Sequence, residues 1–108
     1  MPAELDPLIH APARLRIMST LVALGTETAM VFPRLQQLLG MTAGNLSTHL
    51  TKLEQAGYVS VDKRFAGRSP VTYLAVTARG VAAYADYLAA LRDIVAAAEA
   101  ATSLEKNA

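Results

Sequence analysis

The stretch TAGNLSTHLTKLEQAGYV, residues 42–59, decides the fold of this chain. Leucines recur in it at the i, i+4 and i+7 spacing of an amphipathic helix, namely Leu46, Leu50 and Leu53. Thr42 is a residue type that caps helix N-termini, and Gly57 is one that ends helices. We therefore predict a helix over residues 42–56 with one leucine stripe and one polar face.

A second predicted helix ends directly before this one. It begins at Pro33 and ends at Gly40, and these residue types are common at those two positions. Its apolar stripe is formed by Leu35, Leu38 and Leu39. Only Met41 separates Gly40 from the cap of the next helix, and two helices joined so tightly are typical of a helix-turn-helix motif.

The sequence before these helices predicts three further elements. Pro12 opens a helix that Gly25 ends, and apolar residues repeat in it at helical spacing. Before it we predict a short helical segment with Asp6 as its N-cap and Pro7 at its first helical position. After it, residues 29–31 have room for one short strand.

Beyond Gly57 the apolar period changes to that of a strand. Val59 and Val61 alternate with Ser60 and Asp62, so residues 58–65 are predicted to be extended. Residues 66–70, AGRSP, have turn chemistry, and the β-branched and aromatic residues 71–76 predict a second strand. The result is a hairpin with a basic tip.

A long helix follows the hairpin, capped by Thr77 and predicted over about residues 78–101. The order of helix, short strand, helix, helix, hairpin and helix is that of a winged helix-turn-helix. We expect a mainly α fold with a small β-hairpin wing, in a single domain over residues 1–108. The winged-helix core is expected over about residues 12–80.

Composition narrows the function. The chain has no cysteine, which excludes disulfides and thiolate chemistry, and no apolar run of the length of a membrane span. The net charge is +1, but residues 30–80 hold six basic and two acidic residues, against four basic and seven acidic elsewhere. A polyanion would therefore meet the middle of the chain. The alternative is ordinary scatter of surface charge.

Three motifs together resemble those of ArsR- and MarR-like winged-helix regulators. Residues 46–59 resemble their recognition helix, residues 63–70 with Thr72 resemble their wing, and residues 77–80 resemble the start of the helix that follows. The resemblance covers roughly residues 12–95 and implies a cytoplasmic homodimer that binds operator DNA. The chain departs from the metal-sensing branch, because its only histidines, His10 and His49, are far apart. We expect no metal and no cofactor.

Candidate DNA contacts follow from the polar face opposite the leucine stripe and from the basic wing. Ala43 and Gly44 would let the backbone approach a phosphate at the helix N-terminus. The candidates are Thr42, Ala43, Gly44, Asn45, Ser47, Thr48, His49, Thr51 and Lys52 on the helix, and Lys63, Arg64 and Arg68 on the wing. A solvated helix face and an exposed charged turn are the alternatives. For His49, near the edge of the core, a packing or capping role is the alternative.

The last helix carries two adjoining apolar stripes. Together they form a wider apolar surface than one small domain has to cover, which predicts a second subunit. The candidate dimer residues are Leu5, Leu8, Ile9, Tyr84, Tyr87, Leu88, Leu91, Ile94 and Val95. The alternative is that both ends fold back on their own core. A small apolar effector beside Tyr84 and Tyr87 is a further possibility, against simple packing of these rings.

We therefore predict a transcriptional regulator, specifically a homodimeric repressor that reads a palindromic operator with helix 42–56 and wing 63–70. Its partners would be double-stranded DNA and a second copy, without a membrane. No catalytic constellation is visible, so we do not expect an enzyme. The alternative from another class is a winged-helix protein-interaction module without sequence-specific DNA binding.

Overall fold

The computed structural model describes residues 4–107. Its elements follow the predicted order. In chain order they are α1 (Pro12–Leu24), β1 (Met30–Val31), α2 (Phe32–Leu39), α3 (Ala43–Gln55), β2 (Val59–Ala66), β3 (Ser69–Val76) and α4 (Ala78–Lys106). Four helices with a small antiparallel sheet and a long last helix confirm the predicted fold class.

The sheet has the strand order β1-β3-β2, so the hairpin of β2 and β3 forms the wing and β3 lies in the centre. The wing pairs from Val59 opposite Val76 to Ala66 opposite Ser69, which leaves Gly67 and Arg68 as its loop. Gly67 has a φ of 65° and Arg68 a negative φ, the combination of a type II′ turn. The wing strands are thus longer than predicted, because this turn needs only two residues.

The core lies between α1, α2, α3, the sheet and the first half of α4. The leucine stripe of α3 is buried as predicted. The largest fully buried side chains are Ile9, Ile17, Met18, Leu21, Leu35, Leu46, Leu53 and Leu74. Because α3 buries these leucines, its opposite, polar face is left on the surface.

One local expectation is wrong, and a second is confirmed only for its cap, Asp6. Leu38 is 47% exposed, because Leu35 and Leu39, four residues apart, already form the buried face of a helix of only eight residues. The segment from Asp6 is a single turn, in which Oδ1 of Asp6 accepts from the backbone N–H of Leu8 at 2.9 Å. It cannot continue as a helix because Ala11 is extended, as a residue before a proline prefers.

The last helix is longer than expected and reaches Lys106. Residues 102–106 are mostly good helix formers without glycine or proline, so nothing ends the helix at residue 101. Its first half packs on the core, whereas every described residue from Arg92 onward is exposed. The principal extents of the described chain are 69 × 26 × 20 Å, so this second half projects from the body. Within residues 4–107, no helix is both long enough and apolar enough to cross a membrane.

Candidate nucleic-acid interface

The N-terminal end of α3 is capped by Thr42 and exposed to solvent. Oγ1 of Thr42 accepts a hydrogen bond from the backbone N–H of Asn45 at 3.1 Å, as predicted. The first four residues, 42–45, are all exposed. The polar side chains of this end can therefore approach a ligand without any rearrangement of the helix.

Two threonines on the same face have a defined hydrogen-bonding state. Thr48 donates its hydroxyl to the carbonyl of Gly44 at 3.0 Å, and Thr51 donates to the carbonyl of Ser47 at 2.9 Å. With their protons committed to the backbone, both hydroxyls offer lone pairs outward. Such acceptors suit the amino groups of adenine and cytosine in the major groove.

His49 lies half-buried at the edge of this face. Its Nδ1 is 3.2 Å from Nη1 of Arg14, and a guanidinium only donates, so Nδ1 accepts and the proton sits on Nε2. Burial lowers the pKa of His49 most, and the charges of Arg14 and Lys52 lower it further. Of the two roles considered for His49, this contact favours packing, with a neutral ring.

Because side chains alternate between the two faces of a strand, Lys63 and Arg64 lie on opposite faces of the wing. Arg64 lies on the outer face, where its Nη2 is 2.6 Å from Oδ2 of Asp62 and its guanidinium lies 5.9 Å from the centre of the Tyr73 ring. Asp62 raises the pKa of Arg64 through this hydrogen bond and its charge. Arg64 is thus partly neutralised, whereas Lys63 forms no salt bridge within residues 4–107.

A groove of about 570 Å³ separates α3 from the wing. Ser47, Leu50, Thr51 and Glu54 form its helical wall, and Lys63 and Thr72 belong to its other wall. Lys63 and Thr72 pair directly across the hairpin, so the two strands place them on one face. The sequence analysis placed Thr72 in the wing motif but not among the DNA contacts, although its hairpin register with Lys63 could have identified it as one.

The wing tip carries the last predicted DNA contact. Arg68 is the second of the two loop residues. It is exposed and forms no salt bridge within the described residues. The helix face, Lys63 and Arg68 therefore offer hydrogen-bonding groups and unpaired positive charge. Arg64 and His49 are instead engaged by neighbouring side chains.

The predicted dimer residues divide into three groups. Ile94 and Val95 are 44% and 47% exposed. The partly buried ones packed on the core are Leu5, Leu8, Tyr84, Leu88 and Leu91. For Ile9 and Tyr87 the predicted dimer role is wrong, because they are 0% and 2% exposed and have no surface left for a second subunit. The first half of α4 packs on α1, which is why Tyr87 belongs to the core of its own protomer.

The two tyrosines proposed to border an effector make internal contacts. The hydroxyl of Tyr84 is 2.8 Å from Oγ of Ser19, and that of Tyr87 is 2.8 Å from Nδ1 of His10. A cavity of about 350 Å³ next to Tyr87 is bordered by three acidic residues, which suits an apolar effector poorly. The effector stays a prediction. No group of three or more potential metal ligands occurs within residues 4–107.

A helix-turn-helix whose second helix exposes a polar face beside a basic β-hairpin defines a winged-helix protein. A family model described as a winged helix DNA-binding domain matches residues 13–95. The chain belongs to that family, and the resemblance seen in its sequence motifs is confirmed.

Solved structures agree with this assignment. The structure of a transcriptional regulator homologue from Pyrococcus horikoshii OT3 is 30% identical, with 83% of this chain and 86% of that chain covered and a TM-score of 0.75. NadR in complex with 4-hydroxyphenylacetate (23% identity, 93% of this chain, 71% of that chain, TM-score 0.64) shares the fold. So does a MarR-family regulator from Enterococcus faecalis V583 (22% identity, 94% and 84% covered, TM-score 0.63). A comparison with curated proteins finds no match.

Proposed function

We propose that this protein is a transcriptional regulator that binds double-stranded DNA sequence-specifically, with α3 in the major groove and the wing against the adjacent backbone and minor groove. The observation that carries the proposal is the groove between α3 and the wing. Its helical wall bears the small polar Ser47 and Thr51 beside Glu54, and Lys63 stands on the opposite wall without a salt bridge among residues 4–107. We also propose a cytoplasmic location, which the resemblance to ArsR- and MarR-like regulators implies.

The two parts of this surface would do different work. Lys63 and Arg68 would neutralise phosphates, which supplies affinity without sequence preference. Asn45, Ser47 and Thr48 would face base edges, where an amide and hydroxyls can distinguish base pairs in the major groove. The N-terminal turn of α3 would bring them there, because residues 42–45 at its capped end are all exposed.

We also propose that the protein acts as a homodimer joined through the distal half of α4. Ile94 and Val95 are exposed next to each other on a segment that leaves the body of the protomer. Alanines at positions 96–98 would let a second helix approach closely. A two-fold dimer presents two copies of α3, which fits a palindromic operator and a repressor that occupies it.

The DNA-binding proposal is tested by selection from a random duplex pool, followed by fluorescence anisotropy of the selected and a scrambled duplex at two salt concentrations. We expect site-selective binding that weakens with salt. Enrichment of no sequence, with equal binding of both duplexes, would contradict sequence-specific recognition. Absence of any DNA binding would favour the protein-interaction module.

Charge variants sharpen this test. Lys63→Ala should make the negative slope of log affinity against log salt less steep by about 0.9, the value for one phosphate contact. Arg64→Ala should reduce its steepness by less, because Asp62 already partly neutralises Arg64. Arg92→Ala, an exposed cation on α4, serves as the control and should leave the slope unchanged. Equal slopes for the Lys63 and Arg64 variants would contradict the assignment of the two faces.

The dimer is tested by sedimentation velocity. Ile94→Asp should produce a monomer, because a carboxylate would be buried against the partner helix without a counter-charge. Ala100→Asp adds the same charge about half a turn away from the edge formed by Ile94 and Val95, at 3.6 residues per turn, and should remain dimeric. A wild-type protein that sediments as a monomer at micromolar concentration would refute the dimer.

A further inference from the structure

Phe65 on the wing is an apolar side chain without a place in the core. It is 75% exposed, as exposed as any large hydrophobic residue of the described chain, and it does not pack against the core cluster. A phenylalanine ring is one of the largest apolar surfaces that a residue can remove from water. A ring held outward on a regular strand is therefore available to a ligand.

The strand alternation shows which way this ring faces. Phe65 follows Lys63 on the same face of β2, about 7 Å further along the strand at 3.4 Å per residue. That face is the one that borders the groove opposite α3. Across the hairpin Phe65 pairs with Pro70, so the wing ends in an apolar pair on the side of the recognition helix. Pro70 lies beyond the part of β3 that β1 covers.

The charges around Phe65 and Pro70 indicate which kind of ligand they would bind. Lys63 precedes Phe65 on its face, and Arg68 follows it at the turn, and neither forms a salt bridge within residues 4–107. Asp62, the only acidic residue of the wing strands, lies on the opposite face and is bound to Arg64. An apolar ring between two free cations fits a polyanion that also offers stacked apolar surfaces, and DNA has both properties.

We propose that Phe65, backed by Pro70, enters the DNA minor groove beside the site that α3 occupies, wedges between two base pairs and kinks the duplex there. Proteins that bind the minor groove use apolar wedges in this way, together with basic residues on the phosphates. The inference rests on the proposed function and deepens it. Because pyrimidine–purine steps unstack most easily, Phe65 would make the protein select such a step without reading its base edges.

The experiment uses the full chain and the duplex selected by the wild-type protein. 2-Aminopurine replaces one base at a time in the flanks, and its fluorescence rises where stacking is lost. A donor–acceptor pair on the duplex ends reports bending. For the wild-type protein at saturation, we expect enhanced 2-aminopurine fluorescence at a single step on each flank and a shorter end-to-end distance.

The variants separate a wedge from an ordinary contact. Phe65→Ser should lose both signals and bind the duplex about 10-fold more weakly, while Phe65→Leu should keep a reduced wedge signal. Arg68→Ala should bind more weakly but keep both signals at saturation, since the ring remains. The side chain of Phe65 is three-quarters exposed, so each variant should melt at the wild-type temperature.

The outcomes keep the two proposals apart. Site-selective wild-type binding without any 2-aminopurine enhancement, or with an enhancement that Phe65→Ser retains, refutes the wedge and leaves the proposed function intact. A wild-type protein that selects no sequence refutes the proposed function, and the wedge with it. A Phe65→Ser protein that instead loses self-association on sedimentation would make Phe65 a contact between copies and overturn the wedge.

Discussion

Gly80, near the start of α4, has no room for a side chain unless its neighbours move. A Cβ built there would lie 2.1 Å from the carbonyl oxygen of Tyr58 and 2.9 Å from Cγ2 of Val76. The carbonyl cannot simply retreat, because the backbone N–H of Thr77 donates to it at 3.0 Å. Thr77 also ties this junction together, since its hydroxyl donates to the carbonyl of Gly57 at 2.6 Å and accepts from the N–H of Gly80 at 3.0 Å.

The cost of Gly80→Ala can be estimated from these contacts. Forcing a methyl group into a packed site costs about 1–3 kcal/mol. Weakening the hydrogen bond to Tyr58 adds about 1 kcal/mol. The higher helix propensity of alanine returns about 1 kcal/mol. The net loss in the free energy of unfolding is about 1–3 kcal/mol, which for a chain of this size lowers the melting temperature by roughly 5–20 °C.

Urea unfolding followed by far-ultraviolet circular dichroism measures this loss, at one protein concentration because a dimer's stability depends on it. Gly44→Ala is the matched control: no heavy atom lies within 4 Å of its added Cβ. It should raise the free energy of unfolding by up to about 1 kcal/mol. A Gly80→Ala protein as stable as Gly44→Ala would refute the reasoning. Gly44→Ala should also weaken DNA binding despite its greater stability, because its methyl group lies on the surface proposed to meet DNA.

Two further predictions concern α3. Thr42→Ala removes the hydroxyl that accepts from the N–H of Asn45 and should lower the free energy of unfolding by about 1 kcal/mol in the same urea assay, whereas Thr42→Ser should keep nearly all of it. The second concerns pH. The pKa of His49 lies below 6.5 in the folded chain, so the unfolded chain binds more protons than the folded one as the pH falls below 6.5. The free energy of unfolding should therefore decrease as the pH falls from 6.5 to the folded pKa of His49. Below that pH, His49 should cause no further change. His49→Gln should flatten that part of the profile, and an unchanged profile would show that His49 does not titrate as described.

Most of the fold could be predicted from the sequence because its signals are local. The leucine spacing of α3 marks the buried side whatever the helix packs against, and Thr42 and Thr77 cap helices through bonds to residues three positions away. The change of period after Gly57 marks the strands for the same reason. These features depend on backbone geometry within one element, which a short stretch of sequence specifies.

The candidate site was predictable only in part. The exposed face of α3 follows directly from its leucine stripe. Lys63 and Arg64 are adjacent cations in the sequence, however, and their difference arises from Asp62 and Tyr73, which meet Arg64 on the outer face of the hairpin. Composition alone could not show that one charge is neutralised and the other is free.

The sequence by itself thus determined the order of the elements, their caps and the polar face of the recognition helix, because each depends on residues a few positions apart. Only the tertiary structure decided that Tyr87 belongs to the core while Ile94 stays outside, since α1 covers one half of α4 and not the other. It also decided why position 80 holds a glycine, through a carbonyl 22 residues earlier in the chain. Contacts between distant residues depend on how the elements pack, and no local pattern contains that information.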